Sequence, residues 1–421
     1  APHYVKPLKT TMPIFSVFSG VLSAPLKLLF HGAGKPKERG ALLIKIGLLL
    51  YDTFGRNAGT MPRHQFLGRK RSLEELPAMN PAVKFTAHYF DAAIENPERL
   101  AVDLLRDALS QGEHVRALNY MQASGATDQG IVLTDTRTGD KTLFEADLVI
   151  NAAGPWTDLT NRALGLPSEY LGGSKGSHIV LDNPELFQAC DNREIFFENS
   201  DGRIVLMYPL VGRVLLGTTD IPLDNPDDAE CTEEEVDYFF DLASHVFPNI
   251  ALDRSQIVYR YSGVRPLPAA GDVSPGVVSR DYRIVSDQLA TGQRVLSLIG
   301  GKWTTFRALG EHLANDALGA LKLRRSVSTV GLPIGGGKDF PTDHASRSRW
   351  IEAHRGKLSR ERAGELLARY GTIAEGLLEI LSGDGDDALR HVPGFSAQEV
   401  TWLLEGEHVV TLADVIFRRT L

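Results

Sequence analysis

The chain has 421 residues, 43% of them hydrophobic and 23% charged, with a net charge of −8. This is ordinary globular composition, long enough for two or three hydrophobic cores. The two cysteines, Cys190 and Cys231, lack CxxC partners and exclude a disulfide framework, which fits a reducing compartment.

Charge is uneven. Residues 1–75 hold twelve Lys/Arg against four Asp/Glu, about +8, leaving about −16 for the remainder. No zinc knuckle, RNP-like string or basic heptad helix accompanies the basic part, so nucleic acid is not an expected partner. No metal site is expected either. The most apolar early stretch, Thr11–Leu26, carries two prolines and three serines. It falls short of the ~20 apolar residues that cross a bilayer, and no secretory signal is visible. The chain begins at Ala1 in mid-pattern, which reads as a fragment or processed form of a longer protein.

Residues 1–80 read as irregular apart from "GALLIKIGLLLYDTFG" (40–55), whose length and bounding glycines predict a helix. "NPERLAVDLLRDALSQG" predicts another. Asn96 caps it, Pro97 takes the first helical position, and Leu100, Leu104, Leu105 and Leu109 form the expected buried face. "HVRALNYMQASGA" alternates like a strand. "GIVLTDTRTGDKTLFEADLVINAAG" reads as two paired strands and a third, continuously apolar run expected to be buried on both sides, as in a parallel sheet. "PWTDLTNRALG" opens a helix.

From Ser177 to Asp220, "SHIVL", "REIFFEN", "RIVLMYPL" and "RVLLGTTD" predict an antiparallel sheet with tight turns. "CTEEEVDYFFDLASHVFP" is a helix with a capping box, Thr232 with Glu235. "QIVYRYSGVRPLP", "VSRDYRIVSD" and "LSLIGGKWTTFRALG" follow as strands, the last entering a helix. "GLPIGGGKDFP" then reads as a Gly/Pro-rich linker to a region of short helices. The whole is a mixed α/β pattern with an antiparallel insert and a helical end.

Several segments can carry chemistry. In "VINAAGPW", small residues between a strand and a helix start let a ligand's phosphates or ribose approach the backbone. Alone, the segment reads at least as well as a tightly packed turn. "GSKGSHIVL" brings Lys175, Ser177 and His178 to a strand, where His178 could move a proton or simply be a satisfied structural group. "GTTD" (217–220) reads as a hydroxyl turn. "YSGVRPL" holds Arg265 on a loop stiffened by proline, which suits bidentate capture of phosphate or carboxylate. Arg280 stands fifteen positions on. "GGKWTTFR" places Lys302 among glycines and hydroxyls before a helix, a setting for an anion or an electron-rich ring. Its spacing excludes a Walker A loop.

Taken in order, "KGSHIVL", "LLGTTD", "YSGVRPL", "SRDY" and "GGKWTTFR" resemble the FAD-dependent (aerobic, respiratory) glycerol-3-phosphate dehydrogenase family. "APHYVKPL", "IKIGLLLYDTFGR" and the C-terminal "EVTWLLEGEHVVTLADVIFRRT" resemble it too. The resemblance implies a glutathione-reductase-type FAD-binding domain interleaved with an antiparallel β substrate cap, plus a C-terminal helical domain. On this pattern residues 1–90 and 176–262 are cap, 91–175 and 263–330 belong to the FAD-binding domain, and 331–421 form the helical domain. It further implies oxidation of sn-glycerol 3-phosphate to dihydroxyacetone phosphate, with electrons passing to FAD and then to quinone. Arg265 and Arg280 would match substrate-phosphate arginines. Lys302 would stand by flavin and substrate, His178 would be a candidate for taking the C2 hydroxyl proton, and Gly154, Gly301, Thr304 and Thr305 would line the flavin. The setting implied is cytoplasmic, with the basic N-terminal part docking on the inner membrane surface; homodimerisation is left open.

One departure stands against this. No GxGxxG unit for the FAD pyrophosphate occurs in these residues. The expectation is that the chain alone binds FAD poorly or not at all and is inactive as it stands, which stoichiometric yellow protein on purification would refute. Two alternatives stay open: a related FAD-dependent amine or amino-acid oxidase, and a non-catalytic remnant acting as a binding protein.

Overall fold

The computed structural model describes residues 2–18, 40–55, 62–198, 204–269 and 281–420. β1 (Val5–Ile14) comes first, followed by α1 (Ala41–Gly55), the apolar run expected as a helix. β2 (Gln65–Gly68), α2 (Arg69–Glu75), β3 (Phe85–Ile94) and α3 (Pro97–Leu109) follow. β4 (Met121–Thr127), β5 (Gly130–Asp135) and β6 (Lys141–Phe144) make a small sheet. β7 (Leu148–Asn151) leads through a 3₁₀ turn into α4 (Thr157–Ala163).

The antiparallel block then runs through β8 (Ser174–Leu181), α5 (Pro184–Cys190), β9 (Glu194–Glu198), β10 (Ile204–Leu210), β11 (Arg213–Gly217) and β12 (Ile221–Pro222). α6 (Glu233–Val246) and β13 (Ile257–Arg265) complete it. β14 (Arg283–Gln288) and β15 (Arg294–Ile299) precede α7 (Phe306–Ala320). The C-terminal part holds α8 (His344–His354), α9 (Arg360–Tyr370), α10 (Ala374–Asp384), a short hairpin of β16 (Ala388–Leu389) and β17 (Val392–Ser396), and α11 (Ala397–Gly406).

Two compact units emerge. One gathers residues 1–7, 92–121 and 329–421; the other gathers 8–91 and 122–328. In the larger unit the main sheet runs β12-β8-β11-β10-β9-β1-β3-β2, with β13 on the other side of β8. Its neighbours pair antiparallel from β8 to β9, as the sequence predicts. The reason is alternation. Ile179 and Leu181 of β8 and Val214 and Leu216 of β11 bury one face against Val236, Phe239, Leu242 and Val246 of α6. Each such side chain contributes roughly 1.5–3 kcal/mol by leaving water. The predicted capping box fixes the start of α6, with Thr232 and Glu235 bonding reciprocally.

A second sheet in this unit has the order β14-β15-β7, with β15 and β7 parallel. β7 was expected to be buried on both sides. It is instead an edge strand among the described residues, and Ile150 is 45% exposed. The parallel pairing is right; continuous hydrophobicity alone could not tell an inner strand from an edge.

The smaller unit has its own core of Ala363, Leu366, Tyr370, Leu377, Leu378, Leu381 and Leu403. α3 belongs to this unit. Asn96 caps α3 as expected, accepting from the Arg99 N–H at 3.0 Å. Its buried face differs from the leucine stripe. Arg99, Leu100, Val102 and Asp103 are buried, and Leu105 is exposed. Polar partners decide this: Arg99 forms a bidentate pair with Glu407 at 2.5 and 2.7 Å, and Asp103 accepts from the Tyr4 hydroxyl at 2.7 Å. The expected strand over 114–120 is absent for a similar reason. Asn119 donates to the His408 carbonyl and Tyr120 to Asp414, which leaves strand only from Met121 onward. The Gly/Pro stretch at 331–341 is no free linker either. Gly336 is buried where an added Cβ would strike the Tyr370 carbonyl, and Gly335 N–H donates to Asp107.

Candidate active site

Alternation along β8 puts Ser174, Gly176 and His178 on the face opposite α6. Their cross-strand partners on β13 are Arg265, Gly263 and Tyr261, and Gly217 of β11 stands opposite His178. Three glycines therefore make a bare floor between one histidine, one tyrosine and one arginine. Two of them are filled from above. A Cβ on Gly217 would collide with the His178 ring, and one on Gly176 would collide with the Arg265 guanidinium. At Gly263 nothing lies within 4 Å, so this spot between Tyr261 and Arg265 is open.

His178 stacks on Tyr261 with ring centroids 5.0 Å apart and planes 11° from parallel. Its Nδ1 is buried with no hydrogen-bond partner among the described residues. Burial first, and the positive charge of Arg265 second, lower its pKa to about 4. The imidazole is therefore neutral at physiological pH and has a nitrogen able to accept a proton.

Arg265 is held on three sides. Nη1 donates to the Thr219 carbonyl and to Asp220 Oδ1, both at 3.2 Å, and Nη2 donates to Thr218 Oγ1 at 2.9 Å. The "GTTD" turn is thus the cradle of Arg265, which its reading as a hydroxyl turn missed. Lys175 turns to the opposite face. It is buried, with Nζ donating to Glu235 Oε2 at 2.8 Å and to the Glu230 carbonyl at 2.6 Å, so it is structural.

The carboxyl ends of β7 and β15 bring a second group together. Asn151 pairs with Ser297, so Gly154 and Gly300–Gly301 leave the sheet side by side. Gly154 has φ +61° with open space where a Cβ would be, and Gly301 has φ +108°. Lys302 is exposed and begins a 3₁₀ turn, Trp303–Thr305, whose Thr305 hydroxyl donates back to the Lys302 carbonyl at 3.1 Å. α7 then starts with no side-chain cap and no acid in its first turn. Uncapped N–H groups, left-handed glycines and the exposed indoles of Trp156 and Trp303 at the carboxyl ends of adjacent parallel strands fit part of a dinucleotide. By this test Gly154, Gly301, Lys302, Thr304 and Thr305 suit the FAD expected from the sequence.

A cavity of about 820 Å³ opens beside Arg265, and Asp158, Glu169, Asp224 and Asp227 also line it. Its walls include Pro155 and Leu159, next to Gly154, and Gly173, Val264 and Arg265 of the main sheet. Arg265 and Lys302 stand on separate sheets, and Arg280 lies outside the described residues. The "GTTD" segment holds Gly217 and Asp220 but reads from sequence only as a turn, and Tyr261, Gly176 and Gly263 have no role in that reading. Gly176, Gly217 and Gly263 lie on three different strands, so their row is visible only once the pairing is known.

Residues 28–314 match the model of a family described as FAD dependent oxidoreductase, and residues 327–421 match the C-terminal domain of alpha-glycerophosphate oxidase. Among curated proteins, a glycerol-3-phosphate dehydrogenase of Synechocystis sp. is 30% identical over 100% of this chain and 75% of its own length. A D-erythritol 1-phosphate dehydrogenase of Brucella abortus is 28% identical over 100% and 79%. In three dimensions the chain is similar to the glycerol-3-phosphate dehydrogenase from Bacillus halodurans complexed with FAD. The TM-score is 0.72 at 23% identity, covering 100% of this chain and 74% of that one.

Proposed function

The chain belongs to the FAD-dependent glycerol-3-phosphate dehydrogenase family, and on that premise we propose that it oxidises sn-glycerol 3-phosphate to dihydroxyacetone phosphate and passes the electrons to a quinone. The observation that carries this reading is the cavity with Arg265 at one wall and Pro155, the residue after Gly154, at another. A phosphorylated alcohol bound there spans from a fixed cation to the flavin edge.

Arg265 grips the phosphate. His178, neutral and desolvated, takes the proton of the C2 hydroxyl. A dianion at Arg265 offsets the guanidinium's field and so lifts the pKa of His178 back toward its ordinary value, which makes the ring a better base once substrate is bound. Gly154, Gly301, Lys302, Thr304 and Thr305 would hold FAD, which supplies the two-electron acceptor for the hydride leaving C2.

A quinone acceptor places the protein at a membrane surface. In support, α1 carries exposed Leu42, Ile46, Leu49 and Leu50 along one side, within a basic part of the chain. Such a face suits shallow interfacial docking on anionic lipid at the cytoplasmic side. No helix among the described residues is long and apolar enough to cross a bilayer.

Anaerobic mixing of the FAD-loaded enzyme with substrate tests the activity. Glycerol 3-phosphate should bleach the flavin. Bleaching by glycine or sarcosine instead would make the protein an amine oxidase and end this reading.

A further inference from the structure

A carboxylate beside a phosphate site is unexpected, because it repels the ligand it stands near. Asp220 is such a group. It sits 3.2 Å from Arg265 Nη1, and it is itself anchored, accepting from the Ser174 hydroxyl. Its neighbour Thr219 is tied to the other side of the sheet. Thr219 Oγ1 accepts from Ser177 N–H at 3.0 Å and donates to Glu235 Oε1 at 2.5 Å. Glu235 is in turn locked by Lys175 and by its capping box. The segment 218–220 is therefore fixed on both faces of the sheet, and all three of its residues give Arg265 an acceptor. Gly176 provides the space in which the guanidinium lies, since a Cβ there would also come within 2.7 Å of Thr218 Oγ1.

We propose that Asp220 is a positioning residue: anchored by Ser174, it holds the Arg265 guanidinium in the one orientation that receives the substrate's phosphate. Asp220 does not touch the substrate. The proposal rests on the reading of Arg265 as a phosphate ligand. Two effects of Asp220 oppose each other. Its charge lowers the local attraction for a dianion, and its grip removes the rotamer freedom a long cationic side chain otherwise loses on binding. A planar fork rewards pre-organisation more than a point charge does, so the grip outweighs the repulsion.

The two effects give opposite signs on removal, so the test is the direction of change in Asp220→Asn. In the FAD-loaded enzyme this variant should raise KM for glycerol 3-phosphate about 5- to 20-fold with kcat nearly kept, as expected for one charge-assisted hydrogen bond. Ser174→Ala, which leaves both charges in place, should raise KM about 2- to 5-fold by the same route. Arg265→Ala should raise it more, and adding Asp220→Asn to Arg265→Ala should then change nothing further. A merely structural Asp220 would instead cost the same in both backgrounds. A KM that falls or stays in Asp220→Asn while Arg265→Ala raises it overturns the positioning role alone. An unchanged KM in Arg265→Ala overturns the phosphate reading and this proposal with it. Thermal unfolding of each variant confirms that the folded protein is being measured, and Ser174→Ala carries the test should Asp220→Asn fail to fold.

Discussion

Two buried acids of the helical unit and one buried histidine nitrogen of the main sheet stand in opposite settings. The two acids, Glu399 and Glu407, are surrounded. Glu399 accepts from Arg362, Arg369 and the Tyr370 hydroxyl, all at 2.6 Å, and Glu407 is paired with Arg99, Arg106 and Arg419. On the sheet, His178 keeps a buried nitrogen unpartnered, and Gly263 leaves open space beside it. A satisfied network rigidifies a fold, and a buried nitrogen left unpaired beside open space is available to a ligand.

Breaking each side should give different losses. The largest is kinetic. His178→Gln in the FAD-loaded enzyme should slow flavin reduction about 10²- to 10⁴-fold in stopped-flow traces, with little change in unfolding. The reverse pattern is expected for Glu399→Ala. It leaves Arg362 and Arg369 without their shared acceptor and should cost about 3–5 kcal/mol in denaturant unfolding, with turnover of the folded fraction unaffected.

A pH scan sharpens the comparison. His178 has its pKa lowered to about 4, and so does His88, where burial is again the largest cause. The native state then binds fewer protons than the unfolded chain below pH 6.5. The stability each contributes is present above that value and is lost as pH falls toward 4, on the order of 2–3 kcal/mol per group. His178→Gln should flatten part of that loss in melting curves; an unchanged slope would mean that the ring is not desolvated. Smallest and most local is a glycine pair. Gly176→Ala meets the guanidinium and should destabilise by about 1–3 kcal/mol. Gly263→Ala on the adjacent strand meets nothing and should melt within about 0.5 kcal/mol of the parent.

Much of this was legible in the sequence, and for identifiable reasons. The strands of the antiparallel block alternate strictly, the α6 capping box is local, and the ordered motifs around His178, Arg265 and Lys302 carry the family signature. What escaped depended on partners far along the chain. The Leu104–Leu105 side of α3 looks buried until Glu407, some 300 positions on, claims Arg99. The "GTTD" turn looks like a connection until β13 brings Arg265 across β8. Continuous apolar sequence in β7 cannot say whether a neighbour stands on each side.

The central claim is that Arg265 recognises the phosphate of a small alcohol. Single-turnover flavin reduction by glycerol 3-phosphate and by unphosphorylated glycerol, in the parent and in Arg265→Ala, tests it directly. The account expects the variant to need at least about tenfold more glycerol 3-phosphate while its response to glycerol stays the same. Equal losses with both alcohols would contradict it.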